Sequence, residues 1–217
     1  MLVNSEKTKM LAITANNHEK ISTYINLPDG QTVKSQETLK ILGFVFGRRP
    51  NVSDHIEHLS ELFRKRVWIL RHLKNAGLNS KDLTKLCQVL ILPTLDYASN
   101  VYHSQLTQEQ TNHLEKLQIR ALKIIYGFHY LATELLELSG VEHLWTRRER
   151  LMDKFIDKLL KNEHFLNDWL PRKEFHHRDL RKELIFEEKF ARTKRLYRSP
   201  KYFIRRRINK KRHAFGL

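Results

Sequence analysis

Apolar residues in the first 47 positions occur in short runs separated by turn-forming residues, a pattern typical of β-strands. One run spans 10–14, and two others, at 22–27 and 31–33, flank the short turn Pro28-Asp29-Gly30. A further strand is predicted over 38–46, which is rich in β-branched and aromatic residues. Four short strands of this kind predict a small antiparallel sheet, which needs helices against one face to be stable.

The period of the apolar positions changes after Pro50. Apolar residues then recur every three or four positions, as on one face of an α-helix: Ile56, Leu59, Phe63, Val67, Leu70 and Leu73. We predict that this helix begins with Ser53 as its cap and ends at Ala76-Gly77. A second helix is predicted to open at Ser80 and to kink or break at Pro93.

Three more helices follow from caps and periodicity. A capping box at 107–110 opens one that ends at Gly127, a short one covers about 133–138, and a longer one covers about 142–162. The longest of these is expected to bury Leu144, Leu151, Phe155 and Leu159. The stretch 192–212 is charge-dense and interrupted by Ser199-Pro200, so it is predicted to be an extended or conditionally ordered arm. The predicted fold class is therefore α+β, mainly α.

The net charge of the chain indicates a polyanionic partner. There are 40 Lys and Arg residues against 24 Asp and Glu, a formal net charge of +16, with an isoelectric point near 10.0. Residues 171–217 hold 17 of these cations and only 5 of the acids, so this region alone carries +12. Such an excess attracts nucleic acid first and an anionic membrane surface second. We expect RNA, DNA or both as partners, and no membrane.

Cysteine usage and hydropathy favour an intracellular protein, nuclear or cytoplasmic. Cys87 is the only cysteine and lies in an apolar stretch, where a buried thiol is expected rather than a nucleophile. The longest apolar run, 89–93, is too short to cross a bilayer, and the N-terminus lacks the apolar core of a signal peptide.

The sequence contains no complete catalytic motif. Glycine-rich phosphate loops, a zinc-protease helix motif and a nucleophile elbow are all missing from it. His55 and His58 are three residues apart, but they are more simply interpreted as solvent-facing polar residues than as the ligands of a zinc site. No pair of aspartates lies on a strand hairpin, the arrangement that a two-metal polymerase requires. We therefore predict no metal ligands and no cofactor.

Several motifs, in order along the chain, resemble those of one enzyme family. They are Asn4-Ser-Glu-Lys7-Thr8-Lys9-Met10, Leu39-Lys-Ile-Leu42-Gly43-Phe44, Leu90-Ile-Leu-Pro93-Thr-Leu-Asp-Tyr97-Ala98 and Leu117-Gln-Ile-Arg120-Ala121-Leu-Lys-Ile-Ile125-Tyr-Gly127. Together they resemble the end of the palm and the thumb of reverse transcriptases from non-LTR (LINE-type) retrotransposons. Arg147-Arg148 with Phe155, and 192–200, resemble the tail beyond the thumb.

The resemblance implies a fragment of an RNA-directed DNA polymerase. It divides the chain into palm-edge strands with a primer-grip-like hairpin (1–49), a thumb-like helical bundle (50–128), C-terminal helices (129–170) and a basic tail (171–217). The motifs that bind Mg²⁺ in full-length members would lie before residue 1, so we expect no polymerase activity from this chain alone. The missing palm and fingers of the same element are a candidate partner. Lys7 corresponds to the family's motif lysine, which is thought to act as a general acid, although a surface lysine on a turn is the plainer interpretation.

The same resemblance assigns nucleic-acid contacts. Leu42 and Gly43 correspond to the primer grip, although a bulge in a small sheet would explain Gly43 equally well. Phosphate contacts are expected from the thumb-like helices, where the alternative is a solvated charged face: Arg64, Lys65, Arg71, Lys74, Arg120 and Lys123. The tail cluster beside Tyr202 and Phe203 is expected to bind nucleic acid or to act as a nuclear import signal: Arg205, Arg206, Arg207, Lys210, Lys211 and Arg212. A helical protein–protein adaptor and a subunit of an active enzyme remain as alternatives.

Overall fold

The computed structural model describes residues 7–14, 23–28, 30–49, 51–160, 166, 170, 184–186, 188 and 190–215, with side chains as far as Lys210. The chain folds into two compact units. The first unit consists of Met1–Leu95 and Gln108–Ser139, and the second of Asp96–Thr107 and Gly140–Leu217. An α+β class that is mainly α, with antiparallel strands at the N-terminal end, is confirmed.

The strands of the first unit form two separate antiparallel hairpins. Strands β1 (Tyr24–Asn26) and β2 (Thr32–Lys34) pair across the predicted turn, where the Leu27 N–H donates to the Gln31 carbonyl over 2.8 Å. Strands β3 (Thr38–Ile41) and β4 (Phe44–Gly47) form the other hairpin. The hairpins do not join into one sheet.

Two of the predicted strands differ from the structure. The stretch 38–46 was predicted as one strand, but it reverses at Leu42-Gly43, where both residues have positive φ angles, 47° and 82°. Two consecutive positive φ angles are the signature of a tight hairpin turn whose twist suits the flanking strands. The run 10–14 was also predicted as a strand, but among the described residues it forms only one isolated bridge, between Met10 and Ser35.

Strand β4 is anchored to the first helix of the bundle, α1 (Ser53–Asn75), through an aromatic contact. The Phe44 ring stacks on the His55 ring with centroids 4.0 Å apart, and the Val45 N–H donates to His55 Nδ1 over 3.4 Å. His55 is fully buried, so the expectation that it faces solvent is wrong. A hairpin this short gains its stability from such packing on a helix.

The helices of the first unit are α1, α2 (Ser80–Leu86), most of α3 (Leu92–Asp96), α5 (Gln108–Tyr126) and α6 (Ala132–Ser139). The predicted apolar stripe of α1 is buried from Ile56 to Leu70, and Gly77 and Gly127 follow the ends of α1 and α5 with positive φ angles, as expected. Cys87 is buried, as predicted.

One predicted cap is corrected, and of the kink or break predicted at Pro93 the break is not found. The residue before α1 is Val52, and the Ser53 N–H donates to the Asn51 side chain, so Ser53 is not the cap. Helix α2 begins at Ser80, as predicted, and Asn79 caps it by accepting from the Asp82 N–H over 2.9 Å. The chain does not break at Pro93: a π-helical turn at Cys87–Ile91 leads directly into α3. In a π-turn each N–H bonds to the carbonyl five residues earlier instead of four. The carbonyl that lacks a partner because proline has no N–H is therefore a different one.

The second unit contains α4 (Ser99–Tyr102), a 3₁₀ turn (His103–Gln105), α7 (Leu144–Leu159), α8 (Lys194–Arg198) and α9 (Pro200–Phe215). The inner face of α7 differs from the predicted one by one residue in its middle. Met152 and Ile156 are buried there, whereas the predicted Leu151 and Phe155 are only half-buried.

The stretch 192–212 was predicted to be an extended or conditionally ordered arm; it is not extended, because it forms the helices α8 and α9, of which α9 packs into a core. Ile204 and Ile208 of α9 are buried in a cluster with the following residues: Met152, Ile156, Leu159, Leu170 and Phe186. The buried Asn209 side chain accepts from the backbone N–H groups of Ile185 and Phe186. Sequence reasoning overlooked this apolar spacing of four because the surrounding residues are nearly all cationic.

None of the helices in the described part of the chain has both the length and the apolarity needed to cross a membrane.

Replacing Ile208 with alanine tests whether the basic C-terminal helix is part of the core. Ile208 is 2% exposed, so we expect Ile208→Ala to lower the free energy of unfolding by about 2–5 kcal/mol through lost burial and a cavity. The matched control is Lys210→Ala on the exposed side of α9, which should change it by less than about 0.5 kcal/mol. Guanidinium unfolding followed by circular dichroism measures both, and equal stabilities would contradict a packed helix.

Candidate nucleic-acid interface

Helices α1 and α5 lie side by side and run in the same direction. Near their N-terminal ends, the Gln110 amide donates to the Ser53 hydroxyl over 3.2 Å. Further along, Ser60 Oγ and His113 Nε2 are 2.9 Å apart, and near the C-terminal ends Lys74 Nζ donates to the Ile124 carbonyl over 2.8 Å. The two C-terminal halves are therefore adjacent.

Both of these C-terminal halves are cationic and contain no acidic residue. Between Glu61 and Asp82 the chain has no Asp or Glu, and the same is true between Glu115 and Glu134. The cations of these stretches are Arg64, Lys65, Arg66, Arg71, Lys74, Lys81, Lys116, Arg120 and Lys123. Cations at helix C-termini are favoured by the helix dipole in any case, but here two such ends combine on one surface.

A groove between the two helices brings two of the predicted arginines together. Arg64 of α1 and Arg120 of α5 both line this groove of about 540 Å³, and both are exposed. Its other lining residues are polar for the most part: Ser53, Ile56, Glu57, Ser60, Gln110, His113 and Leu117. Glu57 lies one turn of α1 before Ser60 and two turns before Arg64, so the cationic part of the groove is the end nearer the helix C-termini.

A hydrogen-bonded pair forms the wall of this groove. Ser60 Oγ lies 2.8 Å from the Ile56 carbonyl, which can only accept, so the single hydroxyl proton is donated there. His113 Nε2 must then be the donor to Ser60 Oγ. Arg64 Nε donates to the Ser60 carbonyl over 3.2 Å. This bond fixes the start of the guanidinium group and leaves its terminal nitrogens for a ligand.

An exposed aromatic pair lies among the cations of α1 and was missed from the sequence. Trp68 is 58% exposed, and its ring centroid is 3.7 Å from that of His72. Residues 64, 68, 71 and 72 share one side of α1 by helical spacing. Trp68 falls outside the apolar stripe of the same helix, which is the signal that could have revealed it. Cations combined with an exposed ring are typical of surfaces that bind nucleic acid.

The remaining predicted residues of this bundle separate into exposed and structural groups. Lys65 and Arg71 are exposed and have no ion-pair partner among the described residues, while Lys123 is half-buried. Lys74 is used structurally, because its ammonium group binds the C-terminal end of α5. Arg66, at another side of α1, donates to the Leu90 carbonyl and to the Thr94 hydroxyl, which ties α1 to the π-turn and α3.

The N-terminal residues predicted as site residues from the resemblance do not come together in one site among the described residues. Leu42, 89% exposed, and Gly43 are the two residues at the tip of the β3–β4 hairpin. Their conformation is explained by the turn itself. Lys7 is exposed and precedes the bridge at Met10. Within the described residues, no three His, Cys, Asp or Glu side chains are grouped so that they could hold a metal ion.

Two arginines of the tail cluster, which was predicted to bind nucleic acid or to act as a nuclear import signal, are engaged inside the second unit. Arg205 is 4% exposed. Arg207 binds both oxygens of Asp153, at 2.6 and 2.9 Å, and also the Glu149 carboxylate. Lys210 is exposed, whereas Lys211 and Arg212 have side chains outside the described ones.

The ion pairs of Arg207 shift the pKa values of the groups involved. The hydrogen bonds that Arg207 donates, to Asp153 above all and also to Glu149, raise the pKa of Arg207 further above its ordinary value. Burial acts to raise the pKa of Glu149, but hydrogen bonds from His103 and Arg207 outweigh it and lower that pKa. His103 Nε2 lies 2.8 Å from the same carboxylate. These charges hold α9 against α7 and are not available to a ligand.

Comparison of the chain with protein-family models, with curated proteins and with solved structures finds no match.

Replacing Trp68 tests whether the exposed ring is part of a binding surface. We expect Trp68→Leu to weaken binding of a primer–template duplex about fivefold, because the ring no longer packs on a sugar or an end base. Trp145→Leu is the matched control, since Trp145 is 45% exposed on α7, and it should bind as the parent chain does. Fluorescence anisotropy with a labelled duplex measures the affinity. Equal affinities for both variants would show that Trp68 is not part of the interface.

Proposed function

We propose that this chain binds nucleic-acid duplexes through the adjacent cationic halves of α1 and α5. The observation that supports this most directly is the parallel packing of the two helices, which places Arg64 and Arg120 in one groove. The two terminal nitrogens of each guanidinium group can bind two oxygens of one phosphate. The exposed Arg71 and Lys65 extend the same surface along α1.

The chemistry of this surface fits a backbone ligand rather than a small molecule. The groove is open and most of its lining residues are polar or charged, whereas sites for small molecules are mostly enclosed and apolar. Contacts from Lys and Arg to phosphates release counterions, and they do so without reading sequence. We therefore infer shape- and charge-based binding of RNA, DNA or their hybrid.

The motifs around Lys7, Leu42, Pro93 and Arg120 support a more specific origin for this activity. They resemble the palm edge and thumb of non-LTR retrotransposon reverse transcriptases, in which the thumb follows a primer–template duplex. We propose that the chain is derived from such an RNA-directed DNA polymerase and keeps its duplex-binding part. Its single, buried cysteine supports a reducing compartment, either nuclear or cytoplasmic.

Salt dependence of duplex binding tests this proposal. The logarithm of the association constant falls with the logarithm of salt concentration by about 0.9 for each phosphate contact. Replacing Arg64, Arg71 and Arg120 together with glutamine should reduce that slope by about 2.7 and weaken binding at about 50 mM salt by at least tenfold. Anisotropy titrations at several salt concentrations provide both quantities.

The control for this experiment removes the same charge elsewhere. Lys34, Lys154 and Lys158 are exposed and lie on β2 and α7, so their triple replacement by glutamine leaves the groove intact. It should change the slope by less than one unit. If the two triple variants behave alike, net charge rather than the α1–α5 surface accounts for binding.

A helical protein–protein adaptor is the second candidate, and one feature of the bundle favours it. An apolar groove of about 350 Å³ lies between α1 and the π-turn, lined by Ile69, Leu73, Leu86, Val89 and Leu90 among others. Val89 is 69% exposed and Leu90 47% exposed. If duplex affinity is weak and independent of salt, the adaptor function is the better explanation.

Primer extension distinguishes a binding fragment from an active polymerase subunit. We expect no incorporation of deoxynucleotides by the isolated chain on a primed RNA template with Mg²⁺, because its sequence has no aspartate pair on a strand hairpin. Polymer product that depends on the added chain would contradict this. The assay is read on a denaturing gel against a polymerase control, with the duplex affinity of the same preparation measured in parallel.

A further inference from the structure

The cations at the C-terminal end of the chain divide into two groups that the sequence alone cannot separate. After Glu188 there is no acidic residue, and residues 189–217 contain 12 Lys and Arg. Arg205 and Arg207 are buried or paired with carboxylates of α7. Of the cations whose side chains are described, Lys210 of α9 is exposed, and the other exposed ones lie before α9, in and around α8.

Helix α8 presents every one of its side chains to solvent. Lys194, Arg195 and Arg198 are exposed, none of the residues of α8 is buried, and these three cations have no ion-pair partner within the described chain. The helix is nevertheless well defined, because the Thr193 side chain caps it by accepting from the Leu196 N–H over 3.1 Å. Because the backbone of α8 is already ordered, binding an anion there costs mainly the side-chain entropy of its lysine and arginines.

An aromatic ring is held in place among these cations. The Arg206 guanidinium lies 3.3 Å from the centroid of the Tyr197 ring and donates to the Tyr197 carbonyl over 2.7 Å. Tyr197 still has 53% of its surface exposed, and Phe190, shortly before α8, is 87% exposed. Exposed rings beside cations provide a stacking surface for bases, and an arginine stacked on such a ring orients it.

We propose that the α8 segment, residues 190–198, is a second nucleic-acid-binding surface and that it takes single strands, RNA or DNA. Its cations contact the phosphates and Tyr197 stacks on an unpaired base. A single strand fits better than a duplex, because the faces of duplex bases are covered by their neighbours. An anionic membrane fits less well, because a five-residue helix offers too small an apolar face for insertion.

This surface lies in the second unit, so it does not rest on duplex binding by α1 and α5. Each of the two activities can fail without the other. If the triple variant of Arg64, Arg71 and Arg120 binds duplex normally, the proposed function is contradicted. The proposal of a single-strand surface is not affected by that result.

The test compares single-strand and duplex binding by the full chain and two double variants. We expect Arg195→Ala with Arg198→Ala to weaken binding of labelled oligo(dT) and oligo(U) 20-mers about tenfold at low salt, and binding of a blunt duplex less than threefold. The control, Lys34→Ala with Lys154→Ala, removes the same charge and should change single-strand binding less than threefold. Because α8 buries no side chain, thermal unfolding should be the same for all three.

Variants of Tyr197 test the stacking contact separately from charge. Tyr197→Leu should weaken single-strand binding about tenfold, and Tyr197→Phe should retain it, since the ring is kept. The proposal is overturned if the α8 variants bind oligonucleotides like the parent chain, or if the charge control weakens binding equally. It is also overturned if Arg195 and Arg198 are needed only for binding to phosphatidylserine-containing vesicles.

Discussion

The parallel packing of α1 on α5 is the constraint on which the first unit depends. The apolar stripe from Ile56 to Leu70 can be buried only if a second helix covers it, and Leu114, Leu122 and Ile125 of α5 contribute buried side chains to the core of that unit. The direction of α5 then follows from polar contacts at both ends, of which the Lys74–Ile124 bond is one. Because both helices carry their cations in the C-terminal half, this one choice of direction concentrates positive charge on a single surface. Antiparallel packing of the same helices would have placed each cationic half beside an acidic one.

The cations of this chain divide into two groups with opposite structural environments. Arg207 is surrounded by carboxylates, and removing its partners would leave a partly buried charge without compensation, a large cost. Arg64, Arg120 and the cations of α8 are exposed, and such groups contribute little to stability. A cation that contributes little to the stability of the fold is available to bind a ligand. This division supports treating the exposed sets as candidate ligand-binding surfaces and Arg207 as part of the scaffold.

The position of aromatic rings follows the same division. Phe44 is buried, with its ring stacked on His55, and stabilises the attachment of β4 to α1. Trp68 and Tyr197 are more than half exposed, and each contacts a basic side chain, His72 and Arg206 respectively. Large exposed rings add little to a monomer, but they supply contact area to a partner at a small cost in conformational entropy. Both rings lie on surfaces where unpaired cations are also found, which is the combination expected for nucleic acid.

The sequence by itself determined the fold class, the β1–β2 hairpin, the bounds of α1 and α5 to within a residue or two, and the burial of Cys87. These depend on periodicity and on local turn chemistry, which act over a few residues. It also predicted that Arg64 and Arg120 face away from their helix cores, though not that they share a groove. Only the tertiary structure decided that the 38–46 segment folds back at Leu42-Gly43, that His55 is buried, and that the basic tail is a packed helix. It alone separated Arg207 from the exposed cations of α8. The reason is that a lysine or arginine looks the same in sequence whether or not a distant carboxylate meets it, and only folding brings Asp153 to Arg207.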